Sequence, residues 1–271
     1  MNQCRAKFHR LIACLASLVL GTGIASAQNI ISFSFSGNGD VTPQSGYLDS
    51  TDLAGAPGVR TGNWNNLLSS ADTTHPSTVV FDGIFGDEAG ETTLFNDGST
   101  VGGGFSFTGP VGFSDRTSGS FSNDREMFNG VRDVSGLTMI TLANIPFAEY
   151  EIYCYMFDDG AGRIGTYEIG STKYYVRGGV GIPDNTGAGY ILSTDTTTGT
   201  LLLDHDQGNY VRFTGLSGSA VTLTVNALGL EGNLARNKMA GLQIVSVPEP
   251  GSSALVGVGI LARLLTLRRR R

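Results

Sequence analysis

What this chain of 271 residues has little of narrows its class first. It holds three cysteines, and two of them, Cys4 and Cys14, lie in an N-terminal segment that reads as removable. One thiol then remains in the body, so no internal disulfide staples it and its core must hold it together. That thiol, Cys154, sits in the run EIYCYMF with no cation nearby in sequence, and it reads as a small buried strand residue rather than a nucleophile. Proline is sparse at eight residues while glycine reaches 39, a balance that favours many tight turns over a disordered linker. Basic residues are scarce between the ends. Three of the 18 Lys and Arg fall in residues 1–27 and five in residues 247–271, leaving ten against 23 Asp and Glu, a net charge of −13 for the body. Such a surface repels phosphate backbones and anionic membranes, which excludes nucleic acid as a partner class. Internal repeats are missing too, which excludes propellers and solenoids.

Catalytic signatures are equally scarce. There is no G-x-S-x-G elbow. The body keeps two histidines, His75 and His205, without the paired spacing that zinc requires. His205 lies between Asp204 and Asp206, but neighbours on an extended chain point opposite ways, so the segment reads as a solvated loop. Gly160, Gly162 and Gly165 match G-x-G-x-x-G, yet strand-like sequence follows them where a dinucleotide site needs a helix, so they read as a hairpin loop. Catalytic residues and an organic cofactor are therefore not expected. Structural calcium is the one ion the acidic turns leave open, at Asp204, Asp206 and Gly208 or at Asp82, Asp87 and Glu88.

What is present is strand periodicity. Residues 219–225 (SAVTLTV) set Val221, Leu223 and Val225 against Thr222 and Thr224, and residues 209–214 alternate in the same way. Residues 149–157 (EYEIYCYMF) alternate and then turn apolar on both sides, as a strand covered on both faces would. Further strands are expected at 30–36, 78–85, 103–108, 137–143, 166–169, 173–177 and 239–245. Only residues 63–68 and 124–129 suggest a helical turn or two. Many short strands without long amphipathic helices predict an all-β domain over residues 28–246, an antiparallel β-sandwich of jelly-roll type. Its aromatics Trp64, Tyr153, Tyr155, Tyr174, Tyr175, Tyr190 and Tyr210 offer flat faces for stacking on a saccharide, or core packing between strands.

The two ends carry the address. Residues 1–27 combine Arg5, Lys7 and Arg10, an apolar run over 11–24, and the small residues Ala25 and Ala27 at a cleavage site, which is the pattern of a secretory signal peptide. At the other end Pro248, Glu249 and Pro250 precede an apolar stretch over 254–267, expected to form a short transmembrane helix. Arg268, Arg269, Arg270 and Arg271 follow and would stop translocation on the cytoplasmic side. Arg263 interrupts the stretch and would snorkel toward the same interface.

This ordered triple over 247–271 resembles the PEP-CTERM sorting signal of Gram-negative bacteria. The resemblance implies that signal peptidase and the general secretory machinery export the chain, which the tail then tethers briefly to the inner membrane. A membrane-embedded exosortase would recognise Pro248, Glu249 and Pro250 and process it, sending the body to the cell surface or extracellular matrix. In that setting the body, loosely similar to jelly-roll and galactose-binding-like domains, is expected to be a non-enzymatic structural or adhesive module with extracellular polysaccharide as a partner. The alternative is an extracellular hydrolase or lyase acting on polysaccharide.

Overall fold

The computed structural model describes residues 28–38, 48–69, 78–81, 93–110, 113–115, 121, 123–157, 160 and 162–248. The chain divides into two units, Asn29–Val247 and a second made of Met1–Gln28 with Pro248–Arg271. The expected signal segment with Ala25 and Ala27, the expected transmembrane stretch, Glu249, Pro250 and Arg268 to Arg271 lie outside the described residues.

Asn29–Val247 is all-β. In chain order its elements are β1 (Ile30–Asn38), β2 (Asn65–Ser69), β3 (Thr78–Phe81), β4 (Ser106–Pro110), β5 (Phe113–Asp115), a short helix α1 (Asn123–Met127), β6 (Gly130–Val134), β7 (Thr138–Ala143), β8 (Glu149–Met156), β9 (Ile164–Ile169), β10 (Thr172–Arg177), β11 (Tyr210–Ser217), β12 (Ala220–Leu228) and β13 (Asn237–Ser246). They form two sheets. The first runs β11-β8-β13-β1-β2, with β6 pairing the start of β13 and β5 pairing β6; the second runs β10-β9-β12-β7-β4-β3. All pairings are antiparallel except β1 with β2, which run parallel. A parallel pair needs a long crossover, and here residues 39–64 supply it.

The sheets pack face to face as a β-sandwich. Phe33, Ile152, Cys154, Phe213, Leu242 and Ile244 of the first sheet share one core with Phe107, Ile140, Leu142, Tyr167, Leu223 and Val225 of the second. Phe33 meets Phe107 with ring centroids 5.2 Å apart, and Tyr174 meets Phe213 at 5.1 Å. Alternation along β8 explains the rest. Ile152, Cys154 and Met156 enter this core, while Tyr153, Tyr155 and Phe157 point the other way into a second cluster with Trp64, Phe128 and Val245. β8 is thus covered on both faces, as its apolar pattern implied.

Two local expectations fail, and two strands come without one. Residues 63–68 form no helical turn: Asn65 and Asn66 lie on β2, where the Asn65 amide donates to the carbonyls of Ser32 (2.9 Å) and Leu94 (3.0 Å). Asn is a weak helix former because its amide competes for backbone partners, and here that competition supports an edge strand. The 160–165 glycines serve no hairpin, since β8 and β9 belong to different sheets and this loop crosses between them. A side chain at Gly165 would collide with the buried Asn237 amide, which donates to Tyr167 Oη at 3.1 Å. Strands β5 and β6 are absent from the sequence expectation altogether.

Candidate functional site

The outer face of the seven-stranded sheet carries a line of buried polar groups. On β8, β13 and β1 the outward positions are Tyr155, Gln243 and Ser32; Tyr155 and Gln243 are fully buried, and Ser32 is 1% exposed. The Tyr155 hydroxyl donates to Gln243 Oε1 at 2.5 Å, and Gln243 Nε2 donates to Ser32 Oγ at 3.0 Å. Burial pushes the Tyr155 hydroxyl well above its ordinary pKa, so it stays protonated.

Residues 49–63 lie over this face as a self-closed loop. Ala54 and Thr61 exchange both backbone hydrogen bonds (3.0 and 2.9 Å), Val59 N–H donates to Ala56 C=O, and Asn63 N–H donates to Ser50 C=O. The loop meets the sheet through its backbone: Ala56 N–H donates to the Tyr155 hydroxyl at 3.0 Å, and Val59 C=O accepts from Gln243 Nε2 at 3.1 Å. The backbone approaches so closely because Gly55, at φ +117°, has no Cβ; one built there would stand 2.8 Å from Gln243 Oε1.

A buried carboxylate clasps the loop. Asp124 on α1 accepts from Gly55 N–H (3.0 Å) and from the Tyr190 hydroxyl (2.6 Å) through Oδ1, and pairs with Arg60 through Oδ2 (2.8 Å). Arg60 also donates to the carbonyls of Leu53 and Asn185, both at 2.6 Å, which ties the loop to the 182–190 segment. Burial raises the Asp124 carboxyl above its ordinary value despite Tyr190 and Arg60, and it raises the Tyr190 hydroxyl as well.

The aromatics named from sequence separate into kinds. Trp64, Tyr153 and Tyr155 are buried, which suits packing rather than stacking on a ligand. Tyr174 is half-buried and turned into the sandwich core, while Tyr175 stacks on His205 at 4.8 Å. Tyr190 and Tyr210 are half-buried and meet at 5.9 Å, Tyr210 lies 14° from parallel to Tyr153, and Tyr155 touches both Tyr190 and Tyr210. With Trp64, 6.2 Å from Tyr155, five of the seven therefore form one continuous patch. At its rim Arg212 grips Glu151 with two bonds (2.9 and 2.6 Å) and overlies the Tyr153 ring at 5.5 Å. Burial and Glu151 push the Tyr153 hydroxyl up to about 12.

His205 overturns its sequence reading. It is not a solvated loop residue but 2% exposed, and its partner is neither Asp204 nor Asp206. Its Nδ1 lies 2.8 Å from Asp195 Oδ2 and its Nε2 lies 3.2 Å from Gly199 C=O. Burial acts to raise the Asp195 carboxyl, but the Thr197 amide and hydroxyl and His205 outweigh it, leaving that carboxyl below its ordinary value. The pair pins a strap that closes one side of the sandwich. Ser193 N–H donates to Tyr210 C=O on β11 (2.9 Å), and Asp195 C=O accepts from Tyr175 N–H on β10 (2.8 Å). The bonded pair lies ten residues apart in a segment without periodicity, and Tyr175 reaches it from β10, so adjacency in sequence did not point to it.

Asp204 accepts from Leu201 N–H at 3.1 Å within a 3-10 turn, and Asp82, Asp87 and Glu88 lie outside the described residues. Among the described residues, no group of three or more His, Cys, Asp or Glu is arranged to hold a metal ion, and no helix is long and apolar enough to cross a membrane. Pro248 is exposed at the end of β13. The chain matches no protein-family model and no curated protein.

Proposed function

We propose that this is an exported surface protein, carried by a signal peptide over residues 1–27 and sorted through its tail by an exosortase, with a non-enzymatic body that binds or scaffolds extracellular polysaccharide. The body is read as a sandwich of jelly-roll type, and residues 254–267 as the short helix that tethers it in the membrane before processing at Pro248, Glu249 and Pro250. The observation that carries the reading is the ordered tail itself: a proline-flanked glutamate, an apolar stretch and four terminal arginines.

The end of the body suits such processing. The Val247 amide donates to Glu149 C=O at 3.0 Å, and the next residue, Pro248, has no amide hydrogen with which to extend the ladder. Processing at the motif would leave the hydrogen bonds of β13 in place. For the polysaccharide, support comes from the half-buried rings of Tyr190 and Tyr210, 5.9 Å apart, an aromatic surface of the kind that saccharides stack on, with the buried Tyr155 and Gln243 behind it.

Replacing Pro248, Glu249 and Pro250 together with alanine tests the sorting. The expected outcome is a precursor of higher mass held in the membrane fraction, against a shorter released or surface-bound wild type. Equal mass and equal partitioning of the two would sink the reading.

A further inference from the structure

We propose that residues 49–63 are a flap closed over a binding face for neutral polysaccharide, formed by Tyr155, Tyr190, Gln243, Ser32 and Asp124. This rests on the polysaccharide-binding reading above and specifies its site.

The bonding pattern separates flap from sheet. Among the described residues, every backbone–backbone hydrogen bond of 49–63 closes within the segment: Asp52 to Asp49, Ala54 to Thr61 and back, Val59 to Ala56, and Asn63 to Ser50. Its ties to the remainder each involve a side chain, namely Trp64, Asn123, Asp124, Tyr155, Tyr190, Gln243 and its own Arg60, Asn63 and Asp52. Lifting the segment therefore keeps its internal ladder and breaks no sheet pairing. Its own buried apolar side chains are small, Ala54, Ala56 and Val59, and they pack in one cluster with Trp64, Phe128 and Tyr155.

What lies beneath differs from an ordinary second core. A layer serving stability alone is best filled by aliphatic groups, since each buried polar atom must find a partner or be destabilising. Here the sheet presents a phenol, a carboxamide and a serine hydroxyl and α1 adds a carboxylate; the serine bonds to Gln243, and the flap meets the other three with two N–H donors, at Gly55 and Ala56, and one carbonyl acceptor, at Val59. A sugar hydroxyl both donates and accepts. Hydroxyls of one saccharide unit would replace both donors at Asp124 Oδ1 and Tyr155 Oη, and would accept from Gln243 Nε2 in place of Val59. The rings of Tyr155 and Tyr190, 5.9 Å apart, add apolar surface. Arg60 leaves with the flap, and the exposed face then keeps a carboxylate without its cation, on a body of net charge −13. Such a face selects a neutral polymer over an anionic one.

The test uses the full-length chain and two flap variants, Gly55→Ala, whose Cβ would press on Gln243, and Arg60→Ala, which removes the cation from the clasp. Trp64 is the single tryptophan, and its indole donates to the flap carbonyl of Thr61 at 2.9 Å, so acrylamide quenching of its fluorescence reports lifting directly. Immobilised dextran, galactan and mannan are the neutral probes, with polygalacturonate as the anionic control. If only a small open fraction binds, opening the flap raises apparent affinity by the inverse of that fraction, here expected to be about tenfold or more. The expected result is stronger quenching with cooperative unfolding retained, at least that gain on one neutral polymer, no gain on polygalacturonate, and reversal by adding Tyr190→Ala, which removes a ring of the face. Stronger quenching without any gain on the neutral polymers overturns the binding face, as does an equal gain on polygalacturonate. Unchanged quenching in both variants, or loss of cooperative unfolding in both, makes residues 49–63 a permanent part of the core and overturns the flap. A failure of tail processing leaves all these readouts untouched and bears on sorting alone.

Discussion

Cys154 and Asp124 show how burial turns the same chemistry to opposite ends. Burial pushes the Cys154 thiol up, and no cation opposes it, so the thiol is inert in the folded protein. A thiol-specific reagent is expected to label it only after denaturation. Cys154→Ser would bury a hydroxyl in an apolar layer, for about 1–3 kcal/mol of lost stability by chemical denaturation. Asp124 is held by three partners, yet burial still raises its carboxyl above the ordinary value. A raised folded-state value means that its contribution is full below the unfolded-state pKa and is lost as pH rises through the folded one. As pH rises above about 4, the ordinary carboxylate pKa, the wild type is therefore expected to lose stability relative to Asp124→Asn. A flat difference across that rise would show that Arg60 and Tyr190 fully offset the burial. Cys154 was legible in the sequence because period-two alternation identified β8. The partners of Asp124 were not, because Gly55 lies 69 residues away and Tyr190 lies 66 away, and only the fold brings them together.

At the level of elements, the strands with an apolar pattern announced themselves, and those relying on side-chain partners did not. β7, β11 and β12 alternate with a wet face, β8 and β13 are buried on both faces, and all five fall where the sequence placed them, give or take a few residues. β2 is a parallel edge strand whose Asn65 and Asn66 bond to neighbouring backbone, a pattern with no period to read. The strap across 191–209 belongs to the same kind: it bonds to the edge strands β10 and β11 and is fixed by Asp195 and His205. Because the Asp195 carboxyl lies below its ordinary value, its stabilisation is present above the unfolded-state pKa and lost as pH falls through the folded one. Protease cleavage within 191–209 is thus expected to rise only below about pH 4, near the ordinary carboxylate pKa. His205→Ala should bring cleavage at neutral pH, since it strips a buried carboxylate of one partner at about 1–3 kcal/mol. Cleavage confined to other loops would show that the backbone bonds alone hold the strap. Gly165→Ala tests the start of β9, where crowding Asn237 is expected to cost about 1–3 kcal/mol.

Over the whole molecule, the first and last strands pair with each other, and this sets how the body meets its ends. β1 lies antiparallel to β13 from Ile30 opposite Val245 to Ser34 opposite Gly241, so the body begins and finishes at one end of the sandwich. Asn29 N–H donates to Ser246 Oγ at 2.9 Å, and Ser246 N–H donates back to Asn29 C=O at 2.9 Å. β13 is also central, flanked by β8 along one edge and by β1 and β6 along the other. The sheet therefore cannot close until the last body residues have arrived, a high-contact-order arrangement. A chain stopped after Val247 keeps every described ladder of β13, and its thermal midpoint is expected to match that of the full-length protein. A chain stopped after Ala240 loses the residues that pair with β1 and most of those that pair with β8, leaving Phe33, Ile152 and Cys154 on strands with no neighbour between them. Circular dichroism on heating should then show no cooperative transition. A cooperative melt from the shorter chain would mean that β1 and β8 can pair directly, and that β13 is an insertion into the sheet rather than its centre.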